Sequence, residues 1–551
     1  MASAAFIELI AILFWPTLDL VDSSLEASTL SEMVRRRLGF VGAITDSAKS
    51  LVDWIFPGAL WSWEQLVTFF FHLLILAFVA YALAAWSATH SSQAAQVPLR
   101  WVLIPLVVFE ITLALTPATL STDIYNYAIY GEMPVTYGAN PFIRTPGEFP
   151  QSALYYLIPT YWHDAPSVYG PLWIALSAGV AKVFQSHALI EELLTYRFLA
   201  ATGHFVNTVL IWHIARRLRP SSGLSAALTY AWNPAALLEF ALNGHNDVFM
   251  LTLWLAAILL GLNRRPRLAA LALGGSIAVK YTSALVAPLL LIALSVAAVH
   301  GQGLGRTADS RLPKHKLVAV LAVESAIACG TLLALYLPWL GGVETFGPVL
   351  YWITGPRLQN YWPDPLLMSL TAWTSALIGM PYVEVREPIL SGFKSLARLL
   401  LIGVICWQSF RVGRALVSSP APSVPAASAS LGLSLPAGLY PELLAGSAKV
   451  LLVFLLLVNT WIMPWYYLWP LTVCAALGWD SMLVRICAGL SLTAPVIMYG
   501  RQLNVSPVGD WAGLTLVLPL VLAVAPVVAR RVLRGWRHLR APDPLADAAH
   551  V

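Results

Sequence analysis

The sequence predicts an all-α polytopic membrane protein. Three observations carry this. Apolar residues make up 58% of the 551 residues and charged ones only 11%, where soluble domains carry roughly 25% charged residues. Several apolar runs reach the ~18 to 20 residues that span a bilayer as a helix. The runs are continuous rather than alternating, which argues against a transmembrane barrel. The net charge of +5 does not point to nucleic acid, because the basic residues sit in short loops beside apolar runs. Cys329, Cys406, Cys474 and Cys487 lie inside such runs with no metal-site or disulfide spacing and read as small hydrophobes.

Read in order, spans are expected near 3–20, 65–87, 101–119, 195–215, 223–241, 247–263, 267–281, 283–300, 317–337, 395–411, 448–463, 465–479, 482–499 and 512–529. The first contains Glu8 and Pro16 and lacks a basic flank, so it reads as a span rather than a removable signal peptide. Residues 412–447, rich in Ala, Ser and Pro, read as a flexible loop, and no internal repeat is evident. Basic loops mark the cytoplasmic side: "ARRLRP" at 215–220, "NRRPR" at 263–267, "GRTADSRLPKHK" at 305–316 and the tail "ARRVLRGWRHLR". They agree with one another only if the apolar stretches 169–184 and 364–380 are re-entrant. "RRR" at 35–37 is then left outside. The polar residues collect in the segments assigned to the outer side, led by a large first outer loop at 116–168. The whole chain is expected to form one domain in the plasma (inner) membrane.

In "TPATLSTDIYNYAIYGEMPVTYGANPF", Ser121 or Thr122 can cap a short helix and Gly131 can end it. Asp123, Tyr127 and Tyr130 then share a face at i, i+4 and i+7, with Glu132 just beyond. Capping explains an acid in the first turn; it does not explain the tyrosines. "YWHDAPSVYGPLW" places His163, Asp164 and Tyr169 before the re-entrant stretch, where non-helical backbone is tolerated only if buried or lining a cavity. In "LLEFALNGHNDVFML", Gly244 and Asn246 can end one helix and start the next, whereas His245 and Asp247 exceed what capping requires. Lys280, followed by Tyr281, has apolar sequence on both sides; it either snorkels to the surface or marks a functional site. An ammonium there would suit a phosphate, as would Arg357 and Arg501. "WIMPWYYLWP" breaks a helix at Pro464 and gathers Trp465 and Tyr466, which also suit an interfacial aromatic belt. A carboxylate base, a cation for phosphate and aromatic groups over an apolar bundle fit glycosyl transfer from a lipid-linked phosphosugar. No Rossmann or P-loop signature offers a nucleotide site.

The ordered set "TDIYNYAIYGE…YGANPF", "HDAPSVYGPL", "WNPAALLEFALNGHND", "AVKYTSALVAPLL" and "PWYYLWPL" resembles integral membrane glycosyltransferases of the GT-C superfamily. It is most similar to polyprenol-phosphate-mannose-dependent mannosyltransferases, including the actinobacterial α-1,6-mannosyltransferases and relatives of the GPI mannosyltransferase catalytic subunit. The likeness covers roughly residues 100 to 300 and the late aromatic break, and leaves the first 60 residues unaccounted for. It implies a GT-C-like bundle of about 12–14 transmembrane helices with re-entrant or juxtamembrane helices. It also implies transfer of one sugar, mannose by resemblance, from a polyprenyl-phosphate donor to a glycan or lipid acceptor, by an inverting reaction with Asp123 as base outside the cytoplasm. Lys280 matches the family lysine near the lipid phosphate, and His245 and Asp247 match its "GHND" turn. Many relatives carry a second acid two residues after the first; here that position is Tyr125. A divalent metal such as Mg or Mn is left open, with Asp123, Glu132 and Asp164 as the carboxylates that would hold it. The alternatives are a secondary transporter, whose usual repeats and midplane charges are not evident, a lipid-linked oligosaccharide ligase or polymerase, and a non-catalytic membrane scaffold.

Overall fold

Long apolar segments with no water to satisfy their backbone must close their hydrogen bonds internally, so helices dominate. The computed structural model describes residues 1–24, 29–57, 62–91, 96–301, 314–354, 358–417 and 439–503. Among these residues there are twenty α-helices with short 3₁₀ and π turns, and no strand. Six helices are long and apolar enough to cross a bilayer: Glu64–His90, Leu189–Leu218, Lys314–Trp339, Tyr382–Arg414, Tyr440–Val458 and Met482–Arg501. The pair Pro234–Leu242 and Asp247–Leu262, bent by 115°, makes a seventh candidate if taken as one broken span rather than a re-entrant loop. Ala2–Leu18, Pro171–Phe184, Pro266–Val279 and Ala287–Val299 are shorter apolar helices. The chain is a multi-pass membrane protein by this helix composition. Two of the long helices, Lys314–Trp339 and Tyr382–Arg414, are only 11% and 17% buried along their most apolar windows. They present Leu333, Leu396, Leu399 and Trp407 outward, as a lipid-facing surface requires.

Several boundaries differ from the sequence reading. The run 223–241 is two helices: Asn233 accepts the Ala236 N–H at 3.1 Å and so starts a new helix with Pro234 in its first position. The run 465–479 contains one seven-residue helix, Leu468–Cys474, because Pro464 opens a 3₁₀ turn before it. The loop expected at 412–447 is narrower at both ends, since one helix runs on to Val417 and the next starts at Leu439. The remainder of that loop, the span at 512–529, the basic tail, most of the 305–316 loop and Arg357 lie outside the described residues. Gly131 does not end its helix, which runs Asp123–Thr136. A Cβ at Gly131 would lie 2.4 Å from the Ser177 carbonyl oxygen, so the glycine serves a close helix–helix approach. The arginines at 35–37 lie at the opposite end of the 30-residue Leu189–Leu218 helix from Arg216 and Arg217. There Arg37 pairs with Glu191, Arg36 with Glu32 and Arg35 with Asp46, so acids offset their charge.

The helices Asp247–Leu262 and Pro266–Val279 form an antiparallel hairpin of 16 and 14 residues. At about 1.5 Å per residue they are about 24 and 21 Å long, short of the ~30 Å hydrocarbon core. Their paired ends carry Asp247 and Lys280. Gly170 docks on this end: its N–H donates to the Val279 carbonyl at 3.0 Å, and a Cβ there would meet the Ala278 oxygen at 2.1 Å. Backbone on both sides leaves nothing flexible to yield. Gly170→Ala is expected to destabilise the protein by about 1–3 kcal/mol and to lower turnover by displacing Lys280. Thermal unfolding in detergent and a rate assay check this; unchanged values for both would mean that the start of the Pro171–Phe184 helix moves freely.

Candidate active site

The stretch from Leu115 to Thr122 leaves the Arg100–Ala114 helix and is held before the loop helix begins. Buried Arg197 donates to the carbonyls of Thr116 at 2.6 Å and Ala118 at 2.7 Å. Asn243 Oδ1 accepts the Leu120 N–H at 3.0 Å. Ser121 Oγ accepts the Asp123 N–H at 3.3 Å, while Thr122 makes no side-chain cap. Asp123 thus starts its helix from an anchored strap.

Around Asp123 the structure gathers residues from four parts of the chain. The Tyr127 hydroxyl lies 3.4 Å from Asp123 Oδ2 and 3.3 Å from Asn246 Oδ1, and accepts the Asn246 N–H. Burial first, then the Asp123 charge, hold the Tyr127 phenol well above its usual range, so it serves as a proton donor to oxygen rather than as a phenolate. The same two causes, in the same order, raise Tyr169, whose ring packs 5.0 Å from that of Tyr127. His245 Nδ1 lies 3.4 Å from Asp123 Oδ2, and the ring stacks on Trp465 at 3.6 Å. Asn246 therefore bonds Tyr127 rather than capping its own helix.

Asp247 and Lys280 meet as the hairpin requires. Lys280 Nζ donates to Asp247 Oδ1 at 2.7 Å and lies 4.7 Å over the Tyr466 ring and 5.2 Å over Trp469. Trp469 Nε1 donates to the same Asp247 oxygen. The lysine is buried and ion-paired, not snorkelling. Tyr281 joins Tyr336 by a hydroxyl contact and donates to the Tyr169 carbonyl at 3.4 Å. Asp123 keeps 17% of its side chain exposed, against 9% for Lys280 and none for His245 or Asp247. Asn246 Nδ2, Asp247 Oδ2 and Trp465 Nε1 are buried without a hydrogen-bond partner among the described residues. Orphaned polar atoms of this kind cost free energy unless a ligand pairs with them.

Other expected residues lie apart from this group. Glu132 is nine residues along the helix from Asp123, about 13.5 Å by helical rise, and accepts from Ser152 and Tyr137. His163 stacks on Tyr155 at 4.1 Å and contacts its carbonyl. Asp164 sits beside Gly147 in the same loop. Tyr130 turns from Asp123 and donates to the Ala165 carbonyl at 2.8 Å. Arg501, exposed at the end of its helix, shares a small cleft with Asn360, Tyr361 and Trp362 that neither Asp123 nor Lys280 lines. Among the described residues no group of three or more His, Cys, Asp or Glu side chains is arranged to hold a metal ion; Asp123, Glu132 and Asp164 are not brought together.

Sequence reasoning missed Glu239, Asn243, Trp469 and Tyr499. Glu239 is fully buried, and its carboxylate accepts from Asn243 at 2.8 Å and Tyr499 at 2.9 Å and faces His245 Nε2 at 3.3 Å. The signal was available: an acid inside an apolar run is as costly as the lysine that was singled out.

The family description "Alpha-(1->6)-mannopyranosyltransferase, N-terminal domain" matches residues 37–297, so the likeness starts well before the motifs. A probable alpha-(1->6)-mannopyranosyltransferase of Mycolicibacterium smegmatis is 21% identical over 473 residues, covering 80% of this chain and 76% of its own. The Mycobacterium tuberculosis alpha-(1->6)-mannopyranosyltransferase Rv1459c is 22% identical over 79% of this chain and 75% of its own. Alpha-(1->6)-mannopyranosyltransferase A of the same organism is 24% identical over 71% and 68%. No solved structure matches the chain. Over residues 37–297 the chain matches the alpha-(1->6)-mannopyranosyltransferase family, and it is a distant homologue of that family's mycobacterial members.

Proposed function

We propose that the protein transfers a single mannose from a polyprenyl-phosphate donor to a hydroxyl of a glycan or lipid acceptor, with inversion at the anomeric carbon, on the membrane face away from the cytoplasm. Asp123 is the general base. It takes the acceptor proton as the new C1–O bond forms and the C1–O bond to phosphate breaks, its electron pair leaving with the phosphate. Tyr127, Tyr169, Asn246 and Trp465 line the sugar, and Lys280 supplies positive charge toward the departing phosphate. Asp123, Lys280 and the "GHND" turn lie at the helix ends opposite the basic loops 215–220 and 263–267, which the positive-inside rule assigns to the cytoplasm. One observation carries the reading: a partly exposed carboxylate set among buried polar atoms that lack partners among the described residues.

Purified protein in detergent is expected to convert polyprenyl-phosphate-mannose and an acceptor glycan or glycolipid to a product heavier by one hexose. A panel of radiolabelled polyprenyl-phosphate sugars with mass analysis reads this. No covalent product, with solute uptake by vesicles instead, would replace the enzyme reading with transport. Addition of more than one sugar per transfer event would favour a ligase.

A further inference from the structure

We propose that Glu239 is a positioning residue for this reaction, acting through His245 on Asp123; the proposal rests on Asp123 being the base. The Asn243, Gly244, His245, Asn246 turn follows a π-helical segment, Leu237–Leu242, that carries Glu239. The wide turn directs the carboxylate back at the ring that follows it: His245 N–H donates to the Glu239 carbonyl at 3.1 Å, and His245 Nε2 faces Glu239 Oε2 at 3.3 Å. The other ring nitrogen faces Asp123 Oδ2 at 3.4 Å. One imidazole thus addresses two carboxylates, one buried and one reaching the open side. Trp465 lies flat against the ring, 21° from parallel, and fixes its plane.

Glu239 is itself held. Tyr499 donates to its carboxylate and Asn243 Nδ2 to Oε2, so its lone pairs are engaged on three sides. Asn243 carries a second link to the base, because its Oδ1 accepts from Leu120 N and Thr119 Oγ1, on the strap that ends at Asp123. The nearby charges do not compete for the ring: Asp247 and Lys280 pair with each other, and Tyr127 and Tyr466 present neutral phenols. A fully buried acid at this depth is costly unless it has a task. Fixing the ring that orients the base is that task. The distances are ion-pair lengths rather than ideal hydrogen bonds, and catalytic hydrogen bonds tighten when substrate binds.

The test is Glu239→Gln in the full-length protein with polyprenyl-phosphate-mannose, with kcat and donor KM measured per folded molecule. The charge is removed and the shape kept. The expected result is a kcat at least about tenfold lower with donor KM within about twofold of wild type. Tyr499→Phe, which deletes one hydroxyl, is expected to lower kcat by about two- to fivefold and carries the test if Glu239→Gln does not fold. Asp123→Asn/Glu239→Gln is expected to be no slower than Asp123→Asn alone, because residues acting as a unit are not additive. A wild-type kcat in Glu239→Gln, or in Tyr499→Phe should only that variant fold, overturns the proposal, as does a change confined to KM or to thermal stability. If Asp123→Asn keeps full activity, the base assignment itself falls. If Asp123→Asn is inactive while Glu239→Gln is normal, only the role of Glu239 falls.

Discussion

Asp123→Ala is expected to reduce turnover by at least about 10²- to 10⁴-fold, the range associated with loss of a general base, in a protein that still purifies as a folded, monodisperse species. The carboxylate is partly exposed and lies at the start of a helix anchored independently by Arg197 and Asn243. Its removal therefore costs little packing. The imidazole of His245 keeps its second carboxylate, Glu239, so the ring is not left without an acid. Donor binding should change little, because the interaction lost is one made in the transition state. The isosteric Asp123→Asn should be equally slow. Turnover near the wild-type rate in either variant would remove the base from this position.

Lys280→Met should both destabilise the protein and impair donor use, and the two effects are separable. The ammonium neutralises Asp247, which is fully buried. Leaving that charge unpaired costs about 3–5 kcal/mol, as in other buried pairs broken on one side. The double variant Lys280→Met/Asp247→Asn removes the stranded charge and should recover most of the melting temperature. Donor KM in the double variant should remain raised by about tenfold or more, as expected for loss of a hydrogen bond to a charged group. If the double variant recovers both stability and donor use, the lysine serves only to neutralise Asp247, and its phosphate role is discarded.

The membrane character and most helices were legible because apolar runs of spanning length leave few alternatives in a bilayer. Asp247 and Lys280 were each singled out, but their pairing was not read from the sequence; it is the hairpin of two adjacent helices of similar length that brings them together. Asp123 with Tyr127 followed from i, i+4 spacing. The rest depended on contacts that periodicity does not encode. Glu132 and His163 have the right chemistry, yet each is used to fold the 116–168 loop, on Ser152 and on Tyr155. Glu239 could have been singled out as a buried acid, but its contact with His245 was hidden: the turn at Gly244, in left-handed backbone (φ 73°), folds the histidine back onto Glu239, so an α-helical projection of "LLEFALNGHND" does not place the acid against it. Gly131 was misread because a helix-ending glycine and one that admits a neighbouring backbone look alike in sequence.

The two short helices that end at Asp247 and Lys280 set the depth of the chemistry. On the proposed function, helices shorter than the hydrocarbon is thick would hold the reacting carbon below the level of bulk solvent, near Tyr466, over whose ring Lys280 lies. Asp123 is the most open of the charged side chains there. Water is the competing nucleophile for any activated glycosyl phosphate, and among these side chains Asp123 is the one most exposed to it. If Asp123 is the base, an acceptor hydroxyl seated on it would take the place of that water as it begins to react.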